Sequence, residues 1–427
     1  MPPILQVSPI DSYIDEEIRI KVKDCSVDSE VTLQAVTHDE SGKKFCSYAT
    51  FIANEEGVVD PSLQKPICGT YGAVDGSGLF WSMKQADSKW DDYYEKRTTE
   101  KVRIVLTVIV NGEKLDSESI TRYFYSDDVK KVEIEFDEVK GTLFRPAEEG
   151  RYPAVIILSG SDGGMQEHAA ALLASKGFVT FALAYFGTEG VPRDLENIPL
   201  EYFQRATVWL LEQPYVNGEV SLIGYSRGGE LALLLGATFD YYKKIIAGAP
   251  SAYLTPGMKN GIFAPVKSWV VNQHPLPYVK LKYPFSTMFR MFKNWMLKQP
   301  ISYLSIWDYT LKDEEENREA SIPVEKIKAR VLLIAGGDDQ LWPSEHSVKM
   351  MEEKLRKAHC DSHQNRYLYY KDAGHFSAFP YSFVNLPANV YMKVGGGMTM
   401  TFGGSKSANA AAARDSWREI QEFLKER

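Results

Sequence analysis

The alternation of apolar and polar positions changes character near residue 130. Before it, short β-rich stretches (EIRIKVKDC, EVTLQAVTHDESGKKF, CSYATFIANEEG and KVRIVLTVIVNGEKL) are separated by turn residues. The turns fall at Asp39-Glu40-Ser41-Gly42, at Asn54-Glu55-Glu56-Gly57 and at Asn111-Gly112, the last a strong hairpin dipeptide. No 3.6-residue apolar period runs through this region. Residues 1–128 are therefore expected to form an antiparallel, immunoglobulin-like β-sandwich.

Residues 129–427 show a different rhythm. The runs AVIILSG, FVTFALAYF, VSLIG, KIIAGAP and ARVLLIAGG have few polar breaks and read as strands buried on both faces of a parallel sheet. Helical patterns lie between and after them: EHAAALLASKG, LEYFQRATVWLLEQ, GELALLLGATF, SVKMMEEKLRKA and ARDSWREIQEFLKER. Lys176-Gly177 and Asn217-Gly218 are the expected stops. The alternation predicts a doubly wound, mostly parallel α/β domain. Residues 252–320 fit neither texture. They are rich in proline, aromatics and methionine and sit between two strands, so they are expected to be a cap-like insertion. The one low-complexity stretch is GGGMTMTFGGSKSANAAAA, residues 395–413.

Composition narrows the function classes. A chain of 427 residues exceeds one ordinary core. Its net charge of −8 argues against sequence-independent nucleic-acid binding. Cys25, Cys46, Cys68 and Cys360 lack paired spacing and read as free thiols of a reducing compartment. The N-terminus MPPILQVSPIDSYIDEE has no basic or apolar leader region, and no run has the apolar length of a membrane span. The C-terminus FLKER carries no peroxisomal or prenylation signal. The expectation is a soluble, cytoplasmic protein. The open edges of a sandwich leave room for a homo-oligomer.

The chemistry concentrates around Gly224-Tyr225-Ser226-Arg227-Gly228, a G-x-S-x-G string between a strand pattern and a helix pattern. Such a turn is too tight for bulky flanking residues and lifts the serine hydroxyl to the end of the sheet. The following helix aims its free amides at the same place. Serine needs a base. Of seven histidines, His38 lies in the sandwich region, His168 on a helix, His274 in the insertion, and His346, His359 and His363 in or after a polar helix. His375 instead follows the strand-like RYLYY on the loop KDAGHF and comes after the serine, the chain order of α/β hydrolases. Asp338 and Asp339 follow another strand, in GGDDQLWPSE. The spacing Gly336-x-x-Asp339-x-x-x-Pro343 favours Asp339 as the acid, with Asp372 as rival. The oxyanion donors are expected to be the amide of Arg227 and that of Ser161 or Asp162, in the loop LSGSDGGMQEH. The Arg227 side chain reads as either a structural ion pair or an anchor for an anionic substrate. The Met/aromatic stretch 285–308 reads as either acyl-pocket lining or cap core. No cofactor and no metal are called for.

Taken together, these segments resemble the acyl-CoA thioesterase and bile-acid-CoA:amino-acid N-acyltransferase family. VSPIDSYIDEEIRIKVKDCSVDSEVTLQAVTHDESGKKF and GLFWSMK carry the N-terminal likeness. GTLFRPAEEGRYPAVIILSGSDGG, LLASKGFVTFALAYFG, LIGYSRGGELAL, GGDDQLWPSE and DAGHF carry the catalytic one. The resemblance implies an α/β hydrolase behind a β-sandwich, and an acyl-enzyme on Ser226 with His375 as base and Asp339 supporting it. The substrate implied is a small-molecule acyl thioester, probed first as acyl-CoA. Transferase members usually place cysteine at the nucleophile, so serine favours hydrolysis. Transfer to an amino acid, or ester or lactone cleavage on the same scaffold, is the alternative; a retired hydrolase fold kept for binding is the third reading.

Overall fold

The computed structural model describes residues 2–90, 92–359 and 364–426. Cys360 and His363 lie outside the described residues, as does the side chain of His359.

The first layer is built from β1 (Ile4–Ser8), β2 (Asp11–Tyr13), β3 (Arg19–Lys23), β4 (Glu30–His38), β5 (Lys44–Ile52), β6 (Cys68–Gly69), α1 (Gly78–Trp81), β7 (Lys84–Gln85), β8 (Val102–Val110) and β9 (Glu113–Tyr123). In β4, Val31, Leu33 and Ala35 are buried while Thr32, Gln34 and Val36 are half-buried, the period-two pattern of a sheet packed on one face. Asn111 and Gly112 close the β8–β9 hairpin with φ of 51° and 81°, as a two-residue loop between right-twisted strands requires. The sheet runs β2-β9-β8-β4-β5-β6, with β7 also on β5. Two features depart from the expected sandwich. Strand β2 pairs with β9 in parallel, and among the described residues the other sheet of this layer is the antiparallel β1–β3 pair alone, extended by a bridge from Val22 to Val59.

The second sheet has eight strands: β10 (Val129–Phe136), β11 (Val139–Pro146), β12 (Tyr152–Leu158), β13 (Val179–Ala184), β15 (Val216–Tyr225), β16 (Tyr242–Gly248), β21 (Arg330–Gly336) and β22 (Arg366–Tyr370). Their order is β10-β11-β13-β12-β15-β16-β21-β22, antiparallel over the first three strands and parallel from β13 onward. This is the α/β-hydrolase fold. The apolar runs are buried on both faces, as expected: Ile156 and Leu158 pack towards α3 (Leu200–Leu211), α4 (Arg227–Thr238) and α8 (Ser344–His359). Val155 and Ile157 pack towards α2 (Glu167–Ala174), α9 (Lys406–Lys425) and the first layer.

Asn217-Gly218 does not stop α3. That helix ends at Leu211, just before Gln213-Pro214, because proline cannot continue the helical bonding. Asn217 and Gly218 lie inside β15, where its register against β12 shifts, and Gly218 takes a φ of 93° there. Between β16 and β21, residues 252–320 form short strands β17 (Met258–Lys259), β18 (Ile262–Phe263), β19 (Trp269–Val271) and β20 (His274–Pro275), with β19 pairing to β14 (Ile198–Pro199). Helices α5 (Phe285–Met296), α6 (Leu304–Leu311) and α7 (Glu314–Asn317) follow. The low-complexity stretch is ordered too: the hairpin of β23 (Tyr391–Val394) and β24 (Met398–Thr401) leads through Gly403-Gly404 into α9.

Candidate active site

Strand β15 ends at Tyr225 and α4 begins at Arg227, so Ser226 alone makes the corner, at φ 56° and ψ −119°. A side chain at positive φ is sterically costly, and the surroundings hold it there. The Ser226 amide donates to Gly248 O at 2.7 Å, and Ser226 O accepts from Glu230 N at 3.0 Å. The bracketing glycines are demanded by contact. A Cβ on Gly224 would stand 1.9 Å from the Gly228 carbonyl oxygen, and one on Gly228 would stand 2.5 Å from Ser159 O.

Asp339 and His375 meet at the far end of the parallel strands. Asp339 Oδ2 lies 2.8 Å from His375 Nδ1 and also accepts from Ser344 Oγ at 2.7 Å. Its Oδ1 accepts from the amides of Leu341 and Trp342 at 2.9 and 3.2 Å. A carboxylate so supplied with donors is fixed in place and fixes the ring in turn. The His375 amide donates to Phe402 O at 2.7 Å, and Tyr225, Trp342, Phe376 and Phe402 wall the imidazole. Asp338 instead accepts from Gly404 N at 2.8 Å and Gln340 Nε2 at 2.6 Å, and Asp372 is exposed. Gly403 is needed for this packing, since a Cβ there would lie 1.7 Å from Asp338 O.

Ser226 Oγ has no hydrogen bond among the described residues. Strands β15 and β22 are separated in the sheet by β16 and β21, and the link between serine and histidine runs through Tyr225. Its ring centroid is 5.8 Å from that of His375, and its hydroxyl donates to His375 O.

The loop 159–164 lies against the elbow, with the Cβ position of Gly160 3.3 Å from Tyr225 O. The amides of Ser161 and Arg227 have no acceptor among the described residues. The Asp162 carboxyl turns to Tyr381. Burial raises its pKa above the ordinary carboxylate value, against the opposing pull of the Tyr381 hydroxyl and Arg97. Tyr381 Oη also accepts from Gly160 N at 2.5 Å and Gln166 Nε2 at 3.0 Å. Nothing in the sequence pattern marks Tyr381, Arg97 or Tyr93, whose ring lies 5.5 Å from that of Phe376. Two of the three come from the N-terminal half.

The remaining readings sort cleanly. His168 is buried, its Nδ1 faces Arg97 O at 3.1 Å, and burial pushes its pKa down to about 3, so it is a neutral core group. His38, His274 and His346 are exposed. Of the two readings for the Arg227 side chain, the ion pair is the one present. The guanidinium is buried 3.3 Å from Glu230 and donates to Ser268 Oγ at 2.6 Å. The stretch 285–308 divides: Ile306 and Trp307 are buried, Trp307 stacking edgewise on Trp342, whereas most apolar side chains of α5 face outward.

The architecture matches known sequences along its length. Residues 15–136 match the acyl-CoA thioester hydrolase/BAAT N-terminal region, and residues 198–427 match the BAAT / acyl-CoA thioester hydrolase C terminal. Acyl-coenzyme A thioesterase 6 of Mus musculus is 31% identical over 420 residues, covering 96% of this chain and 93% of the relative. Acyl-coenzyme A thioesterase 1 of Mus musculus is 29% identical with the same coverage. The mitochondrial acyl-coenzyme A thioesterase 2 of Rattus norvegicus is 29% identical, covering 96% and 86%. With one model spanning more than half of its length and a relative above 30% identity along nearly all of it, the chain belongs to the acyl-CoA thioester hydrolase/BAAT family.

Proposed function

We propose that the protein hydrolyses acyl-CoA thioesters to free acid and CoA through an acyl-enzyme on Ser226. The observation that carries this reading is the buried Asp339–His375 pair, 2.8 Å apart, on loops beside a serine held at positive φ. In the first step Ser226 Oγ attacks the thioester carbonyl and its proton passes to His375 Nε2, while Asp339 holds Nδ1–H and stabilises the imidazolium. The oxyanion is received by the amides of Arg227 and Ser161, the Asp162 amide being the alternative donor. Collapse breaks the C–S bond and His375 returns its proton to the departing thiolate. Water, deprotonated by His375, then attacks the acyl-enzyme carbonyl, and collapse breaks the acyl C–O bond as His375 returns the proton to Ser226 Oγ and the acid leaves. Substrate closes the serine–histidine contact, a tightening common between free and bound hydrolases.

Serine at position 226 supports water over an amine as acceptor. In this reading residues 1–128 form the sandwich domain and residues 129–427 the catalytic domain. The free thiols of Cys25, Cys46 and Cys68 support a reducing, cytoplasmic setting. No helix among the described residues is long and apolar enough to cross a membrane.

The test is thiol release from acyl-CoA esters of graded chain length, with and without glycine or taurine. Turnover without amide product is expected, and Ser226→Ala is expected to lower kcat by on the order of 10⁴–10⁶. Ester cleavage without thioester turnover would reject the substrate class. Survival of activity in Ser226→Ala would reject the mechanism.

A further inference from the structure

Helix α5 is amphipathic in the inverse sense to a core helix. Its sequence, FSTMFRMFKNWM, places Phe285, Met288, Phe289, Phe292, Trp295 and Met296 on one arc and Ser286, Thr287, Arg290, Lys293 and Asn294 on the other. In a helix packed on a globular body the apolar arc faces in. Here Thr287 is its one buried residue, while Phe285 is 86% exposed, Phe289 61% and Phe292 57%. Leu297 and Tyr283 extend the patch at either end and are also exposed. Such a patch is costly in water and marks a surface that another phase or molecule covers.

The charge around it says which. The chain carries −8 overall, yet from residue 241 to residue 307 it contains nine Lys or Arg and no Asp or Glu. Lys282 is answered by Glu316, but Lys280, Arg290, Lys293 and Lys298 have no carboxylate partner among the described residues. A second copy of this chain docking face to face would set this uncompensated charge against itself. A flat anionic surface with an apolar interior satisfies both halves of the pattern. Aromatic and methionine side chains enter the acyl boundary and the basic side chains remain among the headgroups.

From these observations we infer that α5 docks the protein on anionic lipid bilayers, lying in the interface without spanning it. The helix is tied to the active-site end of the molecule. Trp295 Nε1 donates to Gly396 O in the β23–β24 hairpin at 3.2 Å, and the Ile301 amide donates to Thr399 O at 2.9 Å. Met392, Met400 and Tyr303 then surround the Leu341, Phe376 and Phe402 cluster beside His375. A docked molecule therefore holds that end of the sheet near the membrane surface, where long-chain amphiphiles partition. Docking itself does not depend on which bond the site cleaves.

The experiment is flotation of the full-length chain with vesicles of phosphatidylcholine alone and of equimolar phosphatidylcholine and phosphatidylserine. Binding to the mixed vesicles is expected to be on the order of several hundredfold tighter, from about fivefold for each of the four uncompensated basic residues. Lys293→Ser and Lys298→Ser should each weaken it about fivefold. Phe289→Asp with Phe292→Asp should weaken it by on the order of 100-fold or more. Both phenylalanines are exposed, so circular dichroism and the melting temperature should match the parent. Equal flotation with both vesicle types, or undiminished binding of the Phe289→Asp, Phe292→Asp variant, would overturn the inference. A lipid-free dimer by light scattering that this variant dissociates would also overturn it, assigning the face to a second copy.

Discussion

Tyr381 accepts the Gly160 amide and the Gln166 side-chain amide while donating to Asp162, so a single phenol ties the histidine loop to the loop proposed to hold the oxyanion. Its ring is also packed between Tyr225 and Phe376, with centroids 5.5 and 6.4 Å away. Tyr381→Phe keeps that packing and removes only the hydroxyl. The Gly160 amide and the Asp162 carboxyl then lose a buried partner, which costs about 1–3 kcal/mol of stability. A loop released by about 1 Å also costs rate, between about 10- and 100-fold in kcat with little change in KM. Steady-state kinetics on an acyl-CoA ester, read beside a denaturant titration, checks both, and an unchanged kcat would remove Tyr381 from any role in positioning the loop. The positions of Ser226, Asp339 and His375 just past strand ends are legible in the sequence because each follows a strand within a short local pattern; their proposed catalytic roles rest on the Ser226→Ala test. Tyr381 is not legible there, because its partners lie more than 200 residues away and depend on how the loop after His375 is routed.

Helix α4 shows the same division one level up. Its start is written in the G-x-S-x-G string and its apolar run, and its observed span of Arg227–Thr238 follows. What its first turn is fastened to is not written there. Arg227 and Glu230 are both fully buried, and the glutamate also accepts from Trp269 Nε1 at 2.9 Å and Thr255 Oγ1 at 2.6 Å, both from the insertion. The pair thus joins the helix that carries Ser226 to residues 252–320. Glu230→Ala would leave a guanidinium buried without its counter-charge, at a cost of about 3–5 kcal/mol. Glu230→Gln, which preserves an acceptor for Trp269, should cost less. Urea unfolding of the two variants measures the difference, and a loss below about 1 kcal/mol for Glu230→Ala would show that the pair is not what fastens α4. The parallel β2–β9 pairing and the shift at Asn217-Gly218 escape a sequence reading for a related reason. Periodicity reports which face of a strand is buried, but not the direction or register of the strand beside it.

The change of texture near residue 130 invites a picture of two independent bodies, and the packing of the whole molecule argues against that independence. One apolar cluster runs without a break from Leu33, Phe45 and Leu79 in the first layer to Ile157 and Ile223 in the eight-stranded sheet and on to Trp417 and Phe423 in α9. Polar contacts follow the same seam. Buried Arg122 donates to Ser12 Oγ at 2.7 Å and Ile14 O at 2.9 Å, while Asn385, after the histidine loop, donates to Ile14 O and Glu16 O at 2.9 Å each. Trp417 Nε1 reaches Asp15 at 3.0 Å, and Lys406 pairs with Asp92 at 3.1 Å. Layers that share a core and its hydrogen bonds lose both together, so scanning calorimetry should record one endotherm with a van't Hoff enthalpy close to the calorimetric one. Asn385→Ala removes a donor from two carbonyls at the seam and should cost about 1–3 kcal/mol. If the layers are coupled, the variant moves that single endotherm down without splitting it. Two endotherms in the parent, or a shift in only one of them in the variant, would mean that each layer holds its own stability and that the shared cluster couples them only weakly.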